Sequence, residues 1–355
     1  MATVNDIYAF LNDFAPVRYQ MDFDNAGFLV GDGSAAVERV LLALDITNEV
    51  IAEAAALHAQ LIVSHHPLIF TPLRRATSDD LTGRKVLALA RNGIAAVCMH
   101  TNLDIADGGV NDALMVALGA EVTGGLEPSG TDADGGMLTC GRVGRLPESM
   151  ALSGFLPYVA DRLHANGLRY VDGGRPVQKL AVCGGSGGSM LDLAAQMGCD
   201  TFVTADVKYD RFLAAKELGI NLIDADHFCT ENVIIPILCE KLRARFPALP
   251  MEGVPGNCDY GSCDQPERLI ELGGVRILML HAHPRGVKSD VMRAVWAARE
   301  CGAQVLLFGH THRPLVDNDG ALLVLNPGAA GDPLHPTCGI LTIENGRADV
   351  RTLAL

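Results

Sequence analysis

The chain has 355 residues, 49% hydrophobic and 20% charged, a balance that supports two or three domains with real cores and excludes a disordered or fibrous protein. A formal net charge of -14 argues against a broad electrostatic grip on nucleic acid, which requires a basic surface, while leaving room for a local metal site that binds phosphate. The opening MATVNDIYAFLNDFAP lacks a basic segment leading into a long apolar one, and no later stretch stays uncharged for about 18 residues. Neither signal peptide nor transmembrane helix is therefore expected, and the cytoplasm is the expected location.

In chain order, VERVLLALDIT reads as a strand, NEVIAEAAALHA as a helix, AQLIVSHHPL as a strand, DDLTGRKVLALARNG as a helix and IAAVCMHTNLD as a strand. This alternation is the signature of a parallel sheet covered by helices. Residues 121–150 are rich in Gly, Ser, Asp and Pro and read as loop and turn joining two lobes, about 1–120 and 121–247. Alternation resumes with KLAVCGGSGGSMLDLAAQMG, CDTFVTADV, YDRFLAAKELG, INLIDAD and a helix beginning near HFCTENVIIPILCEKLRARF. The proline-containing PALPMEGVPG reads as a linker, so a second domain is expected over 248–355. There GVRILMLHAHP, SDVMRAVWAARECG and AQVLLFGHTHRP give strand, helix and strand, and ALLVLNPGAA, CGILTIENG and RADVRTLAL an antiparallel finish. The fold class expected is α/β: a two-lobed N-terminal body with helix-covered sheets, followed by half of an α/β sandwich.

Ten cysteines are scattered through the chain, and Cys98, Cys183, Cys239 and Cys338 sit in apolar segments that suit reduced, buried thiols. Cys258 and Cys263 are the closest pair, but no second pair stands at zinc-finger spacing. CGGSGGS lies between a strand and a helix and offers backbone amides to a phosphate, yet it lacks the Lys-Ser/Thr of a Walker loop. A tight strand-to-helix turn is the better expectation.

Metal-ligand side chains stand at the ends of predicted strands or in the first turn of a helix: His65 and His66, His100 with Asp104, and His227 with Glu231. A lone histidine at a strand end is more often structural, but several in one α/β body change that balance. His227 and Glu231 are four apart and stack on one helical face. Imidazole and carboxylate ligands suit zinc, manganese, iron or nickel, and a carboxylate such as Asp104 can bridge two ions. The segments DNAGFLVGD, SHHPLIF, MHTNLDIADGGVND and LAVCGGSGG through LIDADHFCTE resemble the GTP cyclohydrolase 1 type 2 homologue family, over about residues 1–247. The resemblance implies a dinuclear metal protein that assembles as a toroidal hexamer. It places the metal ligands on His65, His66, Asp104, His227 and Glu231, with His100 near the site.

A second constellation comprises Asn257 in GNCD, His281 in HAH, and His310 and His312 in GHTH. It resembles the second half of a calcineurin-like metallophosphoesterase, of the small bacterial phosphodiesterase subgroup. That family also uses an upstream Asp-x-His and a Gly-Asp, and this chain contains no Asp-x-His. A truncated half-domain with a structural or assembly role is therefore the expectation for 248–355, docked on the first domain or on a partner subunit through its sheet edges.

The function expected is that of a metal-dependent hydrolase acting on a nucleotide or related phosphorylated or cyclic small molecule through metal-activated water, with Glu231 or a histidine such as His100 assisting proton transfer. Two divalent ions are expected in the N-terminal domain. The competing readings are a non-catalytic metal-binding scaffold that holds a homo-oligomer together, and phosphodiesterase activity in the C-terminal region.

Overall fold

A computed structural model describes residues 2–247, 267–280, 291–309, 311, 313–328, 337–344 and 346–354. The chain divides into two compact units, Met1–Met251 and Glu252–Leu355. Unit 1 begins with helix α1 (Val4–Phe14), where Val4, Ile7 and Leu11 repeat at helical spacing and are buried. A reciprocal capping box starts it: Asp6 N–H donates to Thr3 Oγ1 at 3.2 Å and Thr3 N–H to Asp6 Oδ2 at 2.8 Å.

The first sheet contains β1 (Gly27–Val30), β2 (Val40–Ala43), β3 (Leu61–Ser64) and β4 (Ala95–Cys98), in the order β1-β4-β3-β2. β2, β3 and β4 run parallel, and β1 closes the edge antiparallel to β4. Every residue of LIVS in β3 and AAVC in β4 is buried, as continuous apolar runs require when both sheet faces are covered. Helices α2 (Asn48–Ala56) and α3 (Leu81–Arg91) cross between the parallel strands. The short α4 (Thr101–Ile105) and α5 (Val110–Ala117) follow β4.

The second sheet departs from expectation at its start. Residues read as loop form a long hairpin of β5 (Glu121–Thr131) and β6 (Met137–Met150). Strand β5 is an edge, mostly exposed, so its polar residues mark a solvent face rather than a coil. Bulges between Val122 and Gly124 and between Pro128 and Gly130 absorb the proline. Some of its glycines answer to crowding: a Cβ on Gly125 would meet Thr139 Oγ1 at 2.0 Å, and one on Gly144 the Glu121 carbonyl at 2.6 Å.

Helix α6 (Leu152–Arg162), β7 (Arg169–Val171), β8 (Val177–Val182), α7 (Leu191–Gln196), β9 (Thr201–Thr204), α8 (Tyr209–Leu218), β10 (Asn221–Asp224), α9 (His227–Glu231) and α10 (Ile234–Arg245) complete the unit. The sheet order is β5-β6-β8-β9-β10-β7, with β8, β9 and β10 parallel. Cys98 and Cys183 are free buried thiols, and Cys338 is free and half-buried. Cys239 is disulfide-bonded, which corrects the expectation of a reduced thiol there.

Unit 2 has a five-stranded sheet of β11 (Glu267–Leu272), β12 (Val275–Leu280), β13 (Val305–Phe308), β14 (Leu315–Asn318) and β15 (Leu323–Asn326), in the order β11-β12-β13-β15-β14. Helix α11 (Met292–Glu300) packs on one face around Leu278, Leu306 and Phe308. The hairpin β16 (Thr337–Glu344) and β17 (Arg347–Ala354) packs on the other through Leu341, Ile343 and Val350 against Ile277 and Val305. Strand β15 joins the sheet parallel to β13, so the antiparallel finish is confined to the β14 edge and the terminal hairpin. The edges expose Leu269 and Leu272 on β11 and Leu315 and Val316 on β14. Asn257, His281, His310 and His312 lie outside the described residues.

Candidate metal centre

Both sheets of unit 1 bring the carboxyl ends of their parallel strands to one place, where α/β proteins put their ligands. From the first sheet, Asp45 follows β2, His65 and His66 follow β3, His100 follows β4, and Asp104 sits on α4. From the second, Gly185 follows β8, Asp206 follows β9, and His227 and Glu231 lie on α9 after β10.

Each of the four histidines has its Nδ1 held. His65 Nδ1 bonds the Met99 carbonyl at 2.8 Å, His66 Nδ1 the Asp45 carboxylate at 2.9 Å, His100 Nδ1 Asp24 at 2.7 Å and His227 Nδ1 Asp206 at 2.7 Å. The rings stand close: His66 lies 5.1 Å from His65, 5.5 Å from His100 and 5.2 Å from His227 between centroids. Glu231 Oε2 lies 2.9 Å from His66 Nε2, 3.0 Å from His227 Nε2 and 3.7 Å from His65 Nε2. Asp104 Oδ1 is also 3.7 Å from His65 Nε2.

His65 Nε2, Asp104 Oδ1 and Glu231 Oε2 are buried yet lack a hydrogen bond of acceptable geometry. Orphaned buried donors and acceptors are costly, about 1–3 kcal/mol each or more when charged. Separations of about 3–3.5 Å are what two ligands of one ion show when each bond is about 2.0–2.2 Å long. The groups His65, His66, His100 and His66, His227, Glu231 each offer ligand atoms within 4.8 Å of one another and could hold a metal ion. The residues therefore fit the divalent ions that their side-chain chemistry implies.

The electrostatics follow from this crowding. Burial lifts the Asp104 carboxyl to about 6, with Glu231 adding to the rise and His65 opposing it. Burial acts the same way on Glu231 but is outweighed by the imidazoles of His65, His227 and His66, which hold it well below the usual carboxylate range. Burial opposes protonation of His66, yet Asp45 and Glu231 raise it to about 10. Glu231 first, then Asp206, lift His227 to about 9 against burial. Asp24 is held at about 2, because its bonds from His100 and Thr101 overcome its burial.

The structure thus brings together His65, His66, His100, Asp104, His227 and Glu231 from the sequence reading. It adds Asp24, Asp45 and Asp206, which sequence reasoning passed over. The available signal was position, since Asp45 and Asp206 each stand just past a strand and Asp24 heads the loop into β1. The glycine-rich loop proves to be a tight turn. Its Gly184, Gly185 and Gly187 amides donate to Asn111 Oδ1, Thr230 Oγ1 and Thr204 Oγ1 at 2.9–3.0 Å, so they do not face a phosphate. Gly185 has φ +61°, and a Cβ there would meet Glu231 Oε1 at 2.1 Å. The loop is a close-fitting wall behind that carboxylate.

Comparison with known proteins agrees with this architecture. Residues 2–254 match Duf34/NIF3 (NGG1p interacting factor 3), and residues 228–346 match the calcineurin-like phosphoesterase superfamily domain. A protein of Clostridium perfringens named GTP cyclohydrolase 1 type 2 homolog is 36% identical over 243 residues, covering 68% of this chain and 92% of its own. Its namesake in Streptomyces coelicolor is 35% identical over 235 residues, covering 65% and 82%. Among solved structures, a Bacillus cereus protein related to NIF3 superposes with TM-score 0.64 at 27% identity, over 69% of this chain and 94% of that one. Reduced HcgD from Methanocaldococcus jannaschii gives 0.60 at 29% identity, over 69% and 95%. Together with the two-sheet body and its histidine cluster, these matches establish that the chain belongs to the DUF34/NIF3 family and carries a metallophosphoesterase-like region at its C-terminal end.

Proposed function

We propose that the strand-end cluster binds two divalent metal ions and that the protein is a metal-dependent hydrolase acting on a nucleotide or a related phosphorylated or cyclic small molecule. One observation carries the reading: four imidazoles have Nδ1 engaged, and the atoms left facing inward include three buried polar atoms without hydrogen bonds. Ligating histidines ordinarily show this carboxylate- or carbonyl-backed arrangement.

By the family resemblance His65, His66, Asp104, His227 and Glu231 would hold the ions; His66 is common to the two groups of close ligand atoms, and His100, which belongs to one of them, is left beside the site. Bound divalent ions supply Lewis acidity, lowering the pKa of water and neutralising charge on the reacting group. Asp45 and Asp206 fix the planes of His66 and His227. Glu231, with a side chain only 4% exposed and crowded by imidazoles, is committed to ligation. Proton transfer therefore falls to His100, whose side chain is 16% exposed and backed by Asp24.

The relatives' name, GTP cyclohydrolase 1 type 2 homolog, supports a nucleotide as the substrate class. By the same resemblance the working state is a cytoplasmic homo-oligomer, a hexamer, and among the described residues no helix is long and apolar enough to cross a membrane. The C-terminal region serves assembly; Asn257, His281, His310 and His312 are the residues of the sequence that a second metal site there would use, and on this reading they hold no ion.

Elemental analysis of protein purified without chelator tests these assignments alongside GTP turnover. About two ions per chain are expected in the wild type. His65→Ala and Asp104→Ala should lose both metal and turnover, while His310→Ala keeps them. Turnover by metal-stripped protein refutes the hydrolase reading. Full metal loading with no turnover, combined with chelator-induced dissociation of the oligomer, favours the scaffold. Metal loss in His310→Ala moves the chemistry to the C-terminal region.

A further inference from the structure

The rim of the cluster carries two aromatic rings that metal ligation does not use. Among the described residues, Phe23 and Phe70 are the exposed phenylalanines, at 63% and 48%. Their centroids are 6.3 Å apart at 61°, edge toward face, and Phe70 stands 6.2 Å from the His100 ring at 86°. A phenylalanine left in water forfeits the stabilisation that burial would give it. Two of them side by side at the mouth of a polar cluster call for a function.

The segments that carry them also build the site. Phe23 directly precedes Asp24, whose carboxylate holds His100 Nδ1. Phe70 ends the run SHHPLIF that starts beside His65 and His66. Asn25 Nδ2 donates to the Ile69 carbonyl at 2.5 Å, fastening one segment to the other next to both rings. The spacing between rim and cluster is therefore set by the same loops that place the imidazoles.

We propose that Phe23 and Phe70 form a stacking subsite that receives the planar base of a nucleotide while its phosphate faces the histidine cluster. This deepens the hydrolase reading and rests on it for the orientation of the ligand. Aromatic rings accept any base, because every base has a π-face, so the rim selects for the class of flat heterocycles rather than for one member. The neighbouring His100 and Asn25 are polar, which suits a ligand that is apolar on its faces and polar at its edge.

Calorimetric binding of GMP and of ribose 5-phosphate to the full-length, metal-loaded protein tests the proposal, since the two probes share a phosphate and differ in the ring. Wild type should bind GMP about tenfold or more tightly than ribose 5-phosphate. Phe23→Ala and Phe70→Ala should each remove most of that advantage with metal content and ribose 5-phosphate affinity unchanged, and Phe70→Trp should keep it. Equal affinity for the two probes in wild type, or alanine variants that retain the GMP advantage, overturns the subsite. Alanine variants that change the oligomeric mass and leave the GMP advantage intact show instead that the rim is a contact between copies. Ring-dependent binding by a protein that holds no metal would leave the rim standing and remove the hydrolase reading.

Discussion

Replacing Gly185 by alanine is a sharp test of the cluster, because one methyl group would strike its central carboxylate. A Cβ at this position would lie 2.1 Å from Glu231 Oε1, 3.1 Å from Glu231 Cδ and 3.1 Å from His227 Nε2. Real Cβ contacts do not fall below 3.0 Å, so the oxygen must retreat by about 0.9 Å, whereas a metal–ligand bond tolerates about 0.2 Å. Glu231 has little room to give way, being buried and crowded by three imidazoles. The left-handed φ of +61° adds about 1–2 kcal/mol of backbone strain for any residue with a Cβ. Displacing a ligand should weaken metal binding at least as much as loss of an outer partner does, about 10- to 100-fold. The assay is a competition titration with a chromogenic chelator, paired with thermal melts with and without metal. Strain alone lowers the melting temperature equally in both melts, by about 2–4 °C per kcal/mol. Damage to the metal site adds a further loss in the metal-loaded melt. Wild-type metal affinity in Gly185→Ala would show that Glu231 does not ligate through this geometry.

The outer carboxylates give a gentler perturbation: Asp206→Asn and Asp45→Asn keep the shape but not the charge behind His227 and His66, and each should cost about 10- to 100-fold in metal affinity by competition titration. An unchanged affinity would reduce these aspartates to surface ion pairs. The third prediction concerns pH. In metal-free protein, His66 and His227 have folded values raised from 6.5 to about 10 and about 9, so their contribution to stability is complete below about pH 6.5 and is lost as pH rises through 9 to 10. Metal requires the neutral rings and displaces those protons, so the melting-temperature gap between metal-loaded and chelated protein should widen as pH rises over that window. A gap that is flat or narrows across it would show that these imidazoles do not meet the ion.

Which parts of this site the sequence disclosed follows from how each residue is positioned. His65, His66 and His100 interrupt buried apolar runs at strand ends, and nothing in core packing calls for an imidazole there, so they stand out along the chain. His227 and Glu231 stand out because four-residue spacing on a helix makes one face of them. Asp45, Asp24 and Asp206 carry no such mark. An aspartate after a strand is the ordinary residue of a turn, and Asp206 indeed adopts a left-handed φ of 51°. Their pairing with imidazoles spans 21 residues for Asp45 and His66, 76 for Asp24 and His100, and 21 for Asp206 and His227. Those distances close only when the sheets are assembled. The β5–β6 hairpin was hidden for a related reason: its buried apolar positions, Leu126, Cys140, Val143 and Leu146, are sparse, and its order comes from cross-strand pairing rather than from local composition. The site itself is a consequence of topology. Parallel strands send all their carboxyl ends the same way, and the two sheets point those ends at each other. Residues as distant in the chain as Asp45 and Glu231 therefore converge on His66, from opposite sheets, and the group of His66, His227 and Glu231 that could hold a metal ion draws on both.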